Sequence, residues 1–327
     1  MSSSFARSRR NTFSSLDIER DADWRSDDAA IRLRMRTADT RFLLLREDGR
    51  ALIDAAGRAL HALDRDAFER LRGDTDATTY LGRVQNRDWF VWHANDAVCT
   101  QIATLGDAAF RDLRAVGMAL DADSAGLFAY ARAIALWQQR TRYCCACGSP
   151  VRLESAGHRA VCTSSACAIE HFPRTDPAMI VVVTQADRCL LGRQASWPAG
   201  RYSALAGFVE PGETLEAAVR REVREEAGVH VVDCDYHSSQ PWPFPSSIML
   251  GFIARADDPT IRIGVELEDA RWFTAAQIVD DLASGHLSMP SPLSVSYRLI
   301  EHWLRQTAGL ELDAMTQADP LYRPVRG

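Results

Sequence analysis

From about Leu33 to Val98, short apolar runs alternate with glycine and aspartate turns, and Phe42–Leu45 and Trp89–Trp92 have the length and residue types of strands. From about Ala108 to Arg140 the apolar positions take on helical spacing. Within Gly126–Arg140, Leu127, Ala131, Ile134 and Trp137 share a face, so the pattern predicts a helix ending at a boundary near Thr141. Farther along, residues 178–184 (AMIVVVT) and Ile248–Ala256 read as buried strands, while Leu215–Ala227 and Leu293–Thr307 read as amphipathic helices. Mixed in this way, the elements predict an α/β C-terminal half. No internal repeat and no long low-complexity segment is visible.

With 327 residues the chain has room for two folding units. A net charge of −6 argues against a protein that coats nucleic acid or a membrane surface with its whole body, although a local basic patch is compatible with it. The apolar run Ala178–Val183 is far shorter than the roughly 20 residues that cross a bilayer. The first ten residues are rich in Ser and Arg and free of acids, like the start of a transit peptide. Asp17 and Glu19 then arrive and no apolar face develops, so a frayed polar terminus is the expectation. Five of the eight cysteines lie between Cys144 and Cys167. Without a secretory signal, this points to metal rather than disulfides and to a reducing, cytoplasmic setting.

Cys144 and Cys147 are separated by two residues, and Cys162 and Cys167 follow with four between them, close to the two-knuckle spacing of a zinc ribbon. Gly148 suits the turn after the first knuckle. Cys145 reads as a bystander, and His158 and His171 are spare ligands beside four available sulfurs. Four thiolates leave no open coordination position, so the zinc is expected to be structural. A ribbon can also grip nucleic acid, which keeps a non-catalytic, nucleotide-responsive regulator as a rival reading.

The stretch GFVEPGETLEAAVRREVREEAGV (Gly207–Val229) places Glu222, Glu225 and Glu226 three and four residues apart on one helical face. Val219, Val223 and Ala227 form the apolar stripe beside them, and Gly228 suits the C-cap. Three carboxylates on one turn repel, and hard divalent cations such as Mg²⁺ or Mn²⁺ relieve that. Such ions bind phosphate oxygens and acidify water, which is what hydrolysis of a phosphoanhydride requires. A solvated acidic helix paired with Arg220, Arg221 and Arg224 leaves the glycines and Glu213 at their offsets unexplained.

These fixed positions resemble the Nudix box. The resemblance implies an α/β/α sandwich, with Glu222, Glu225 and Glu226 around Mg²⁺ or Mn²⁺, Arg221 orienting a glutamate, and the carbonyl of Ala206 as a further ligand. Three phrases in order are similar to the NADH pyrophosphatase branch: the zinc ribbon, HFPRTDPAMI (His171–Ile180), and SQPWPFPSS (Ser239–Ser247). From that branch follow Phe172 and Phe208 as aromatic substrate contacts, and Gln240, Pro241, Trp242, Pro243, Phe244, Pro245, Ser246 and Ser247 as a substrate-lining segment. Glu266 follows as a downstream metal ligand, with Glu268 as its competitor, and Ser296 as a backbone contact to substrate. The four intervening residues of the second knuckle, and Gly157 where relatives place an acidic contact, depart from the pattern.

The implied reaction is hydrolysis of NAD(H) to AMP and nicotinamide mononucleotide, with NAD-capped RNA ends as an extension and a homodimer as the assembly. A Nudix hydrolase for ADP-ribose or a coenzyme A ester is the alternative. The implied domains are a Nudix-like, non-catalytic α+β domain over 1–140, a zinc ribbon over 141–172, the Nudix domain over 173–312 and a tail over 313–327. Prolines at 241, 243 and 245 bias Gln240, Trp242 and Phe244 toward extended backbone, predicting a pre-organised loop.

Overall fold

The apolar runs Phe42–Leu45, Trp89–Trp92, 178–184 and Ile248–Ala256 all become strands, and the two large sheets they enter share one topology. The computed structural model describes residues 3–71, 78–103 and 108–316. They divide into a C-terminal unit (residues 3–14, 176–242 and 247–316) and an N-terminal unit (the remainder, including 243–246). A short helix α1 (Ser4–Arg9) thus belongs to the C-terminal unit.

In the N-terminal unit, α2 (Asp28–Met35) precedes β1 (Arg41–Leu45), β2 (Ala51–Asp54), helix α3 (Arg65–Leu71), β3 (Thr78–Val84) and β4 (Arg87–His93). Helix α4 (Asp96–Ala103), β5 (Ala108–Arg111), α5 (Leu113–Val116) and α6 (Ala122–Arg140) follow. The sheet order is β3-β4-β1-β2-β5, parallel between β1 and β4 and antiparallel elsewhere. Phe68 of α3 docks the helix by stacking on Phe42 at 3.8 Å between ring centroids, with its edge against Trp92 at 5.0 Å.

Residues 108–111, expected to be helical, instead pair with β2. Their burial alternates along the strand, and four residues are too few for sequence periodicity to separate strand from helix. Helix α6 ends at Arg140 with Thr141 as its cap, the boundary read from the sequence. Strands β6 (Val151–Glu154), β7 (Arg159–Cys162) and β8 (Glu170–His171) then form a small antiparallel sheet.

The C-terminal unit holds β9 (Asp176–Gln185), β10 (Arg188–Arg193), β11 (Leu205–Phe208), α7 (Leu215–Ala227), β12 (Val231–Trp242), β13 (Ser247–Ala256) and β14 (Asp269–Thr274). Helices α8 (Ala275–Ala283), α9 (Val295–Ala308) and α10 (Leu312–Thr316) close it. Its order is β12-β13-β9-β10-β14 with β11 also on β9, again with one parallel pair, β9 with β13. Successive side chains of β9 serve opposite cores: Met179, Val181 and Val183 pack with α7, and Ile180 and Val182 with α8 and α9. Burial on both faces explains the unbroken apolar run. The result is an α/β/α sandwich.

Two readings change. Residues 3–13 are packed rather than frayed: Ser3 caps α1, Asn11 and Phe13 are buried, and Arg10 pairs with the buried Glu301 at 3.0 Å. The tail expected from 313 begins inside α10, where Tyr297 bonds Asp313 and Thr316; residues 317–327 lie outside the described part. The apolar face of α9 is buried in its own core through Leu299, Ile300, Trp303 and Leu304. Among the described residues no helix is long and apolar enough to cross a membrane.

Candidate active site

Helix α7 spans the predicted residues because both ends are determined locally. Thr214 accepts from Ala217 N at the start, and Gly228 takes a left-handed φ of 68° at the end. Ala218, Val219, Val223 and Ala227 are fully buried. Each valine contributes about 1.5–3 kcal/mol of burial, which offsets the repulsion among the acids on the adjoining face.

Arg221 organises that face. Its guanidinium grips Glu213 with two bonds (2.7 and 2.9 Å), donates to Glu222 (2.8 Å) and Glu225 (3.1 Å), and reaches the carbonyl of Phe208 (2.8 Å). The bonds from Arg221, helped by the amide of Glu210, hold the Glu213 carboxyl down at about 2. Glu213 therefore anchors Arg221, a role legible only as an unexplained offset in the sequence. Arg221 orients Glu213, Glu222 and Glu225, and among the described residues no hydrogen bond joins it to Glu226.

Gly207 leaves space for a carboxylate: a Cβ there would fall 1.9–2.4 Å from the carboxylate of Glu222, which would have to move. On β11, Ala206 pairs with Ile180 and Phe208 exposes its ring. The chain after β13 returns to the end of α7, where Arg262 N and Gly264 N donate to the carbonyls of Ala227 and Glu226 (2.7 and 2.9 Å). Gly264 passes so close that a Cβ would sit 2.0 Å from the carbonyl oxygen of Glu225, a signal the sequence reading did not use. This loop brings the charge of Glu266 to bear on Glu222 and Glu226. Glu268, its competitor, is engaged by Arg193.

Glu226 is the outlier. It is 5% exposed, and its Oε2 has no hydrogen-bond partner among the described residues. Burial, then the charges of Glu222 and Glu266, push its pKa up to about 8, and burial also raises Glu222. A buried carboxylate oxygen without a donor, facing two other carboxylates, is a demand for positive charge. The all-oxygen donor set fits Mg²⁺ or Mn²⁺.

Other predicted site residues lie elsewhere. Gln240 is fully buried, and its amide donates to the carbonyls of Thr12 (3.1 Å) and Leu293 (2.7 Å) and accepts from Val295 N (2.8 Å). Ser296 is also buried, with its hydroxyl on Ser203 Oγ (2.8 Å) and Ala204 N (3.0 Å). Both side chains thus brace neighbouring segments. Arg7, Ser8 and Asn11 bond residues 237–239 as well, contacts between positions more than 220 apart that carry no sequence signal.

The expected loop is a hairpin: β12 continues through Pro241 and Trp242, which pair with Ile248 and Ser247, and only 243–246 turn. Proline is tolerated there because β12 is the sheet edge. Within the N-terminal unit, Phe244 lies under Arg114 at 3.9 Å, Arg132 bonds the carbonyl of Pro243, and Phe172 is exposed. Pro245 is exposed and Ser246 half-buried.

The sulfurs of Cys144, Cys147, Cys162 and Cys167 all lie within 4.8 Å of one another, two pairs at 3.7 and 3.4 Å. Zinc–sulfur bonds of about 2.3 Å place tetrahedral sulfurs roughly 3.8 Å apart, so the group can hold such an ion. Gly148 has the expected positive φ of 75°. Cys145 stays outside the group beside His171, and His158 bonds the carbonyl of Tyr80.

Comparison with known proteins agrees with both halves. Residues 174–290 match the NUDIX domain, and residues 39–137 match the NADH pyrophosphatase-like rudimentary NUDIX domain. The NAD-capped RNA hydrolase NUDT12 of Macaca fascicularis is 44% identical over 193 residues, 55% of this chain; the chain spans 42% of that relative's length. The NAD-capped RNA hydrolase NudC of Stutzerimonas stutzeri (strain A1501) is 42% identical over 63% of this chain and 72% of its own. NudC of Mycobacterium bovis (strain BCG / Pasteur 1173P2) is 36% identical over 81% and 84%. With a rudimentary Nudix domain preceding a full one, the chain belongs to the Nudix family, in its NADH pyrophosphatase-like branch.

Proposed function

We propose that the protein hydrolyses the diphosphate of NAD(H) to AMP and nicotinamide mononucleotide, and releases the same group from NAD-capped RNA. The observation that carries this reading is the buried, donor-less oxygen of Glu226 among Glu222 and Glu266. Glu222, Glu225, Glu226, Glu266 and the carbonyl of Ala206 would hold Mg²⁺ or Mn²⁺. When bound, the ions supply charge neutralisation at the diphosphate and acidify water.

Arg221 keeps Glu222 and Glu225 aimed, and Gly207 leaves room for Glu222. Water adds to one phosphorus, the bridging P–O bond breaks, and the departing phosphate keeps that oxygen. Glu226 or Glu225 takes the proton from water. The exposed ring of Phe208 offers a face for the nicotinamide, with Phe172 and residues 240–247 and 296 assigned to the substrate by resemblance.

Product analysis on NADH, ADP-ribose and diadenosine compounds tests the reading. We expect AMP and nicotinamide mononucleotide from NADH; equal or faster turnover of ADP-ribose would overturn the substrate assignment. The four cysteines hold Zn²⁺ as a staple in this reading, so Cys147→Ser should lower zinc content and stability together; a folded, zinc-loaded but inactive variant would contradict it. Eight cysteines with no disulfide among them suit the cytoplasm. A homodimer is the expected assembly, and light scattering showing only monomer would reject it.

A further inference from the structure

Beside the carboxylates runs a groove of about 470 Å³, within the size range of ligand sites. Arg220 and Arg224, one helical turn apart on α7, line it together with His230, above Val229 and Val231. Arg221 and Glu225 line it too, so it is continuous with the metal-binding face.

Its charges are not balanced. Arg221 is occupied by Glu213, Glu222 and Glu225, and His230 lies 3.3 Å from Asp257. Arg220 donates to the carbonyl of Val232 and acts together with Glu216, Asp233 and Asp235 on Cys234, while Arg224 has no ion-pair partner among the described residues. Among the described residues neither guanidinium is held by a direct ion pair, on a chain of net charge −6. Guanidinium forks suit phosphate oxygens.

We propose that this groove takes the ribose-phosphate backbone of an RNA strand attached to the cleaved diphosphate, so that Arg220 and Arg224 favour capped RNA over free dinucleotide. The inference rests on the proposed reading of the carboxylate site. Free NADH, which has no phosphodiester beyond the scissile group, leaves the groove unused.

The test compares wild type with the double variant Arg220→Gln/Arg224→Gln on NADH and on a short single-stranded NAD-capped RNA. Two phosphate contacts contribute a log–log salt slope of about 0.7 each, so wild-type kcat/KM on the RNA should fall about sevenfold more between 50 and 200 mM salt than that of the variant. The variant should show a raised KM for RNA at low salt and NADH kinetics within about twofold of wild type, the size of a distant surface change. Equal losses on both substrates, or an unchanged salt slope, would overturn the inference. Wild type that cleaves NADH but not capped RNA would also overturn it, leaving NADH hydrolysis intact. If neither substrate is cleaved, the proposed function fails, and fluorescence anisotropy with uncapped RNA decides the groove: salt-sensitive binding lost in the variant supports it, and equal binding refutes it.

Discussion

The two large sheets have the same strand order and the same single parallel pair, yet only one carries the proposed carboxylate site. Between the second and third strands in spatial correspondence, the C-terminal unit inserts β11 and the 13-residue α7, while the N-terminal unit has the 7-residue α3. Helix α7 carries Glu222, Glu225 and Glu226 on one turn, with Glu222 against Gly207. Helix α3 offers Asp66, paired with Arg65, and an exposed Glu69, and spends Phe68 on the core. Alternating apolar residues are enough to build this sheet. Chemistry needs an added loop and helix that hold like charges together at a cost in stability.

That contrast is tested most strongly by matched substitutions. Glu226→Gln should lower NADH turnover about 10²–10⁴-fold, whereas Glu69→Gln should leave it within about twofold. Comparable turnover by wild type and Glu226→Gln would show that the carboxylate face is not the reacting centre. In the core of the rudimentary sheet, Phe68→Ala should cost about 3–5 kcal/mol in denaturant unfolding; a loss below 1 kcal/mol would mean that α3 is not docked through this ring.

Gly207→Ala asks whether the close approach to Glu222 matters. The added methyl should displace that carboxylate and reduce kcat by about 10²-fold while leaving the circular dichroism spectrum unchanged. Full activity would place Glu222 elsewhere during turnover.

A further test is of pH stability, where each unit holds a histidine kept neutral by its surroundings. Burial, then the charges of Arg25 and Arg20, lowers His158 to about 4; burial, then His302 and nearby arginines, lowers His237 to about 3. The unfolded chain therefore binds the proton first, and stability falls as pH drops below about 6.5, by at most ~1.4 kcal/mol per pH unit for each histidine. The contribution of His158 levels off near 4 and that of His237 near 3. Replacing either by Gln should flatten the profile, and an unaltered slope in denaturation curves between pH 6.5 and 4.5 would exclude that histidine.

Helix α7, the strand runs and the four-cysteine spacing were determined by the sequence itself, because caps, periodicity and ligand pairs act within a few residues along the chain. The tertiary structure decided what depends on distant partners. It made residues 108–111 a strand by giving them β2, repeated one sheet order in two sequences without a visible repeat, and tied residues 7–12 to β12. It also turned Gln240 and Ser296 inward as braces, engaged Glu268 with Arg193, and left Oε2 of Glu226 without a donor. Burial and hydrogen bonding between remote segments set these outcomes, and neither leaves a local pattern for sequence spacing to reveal.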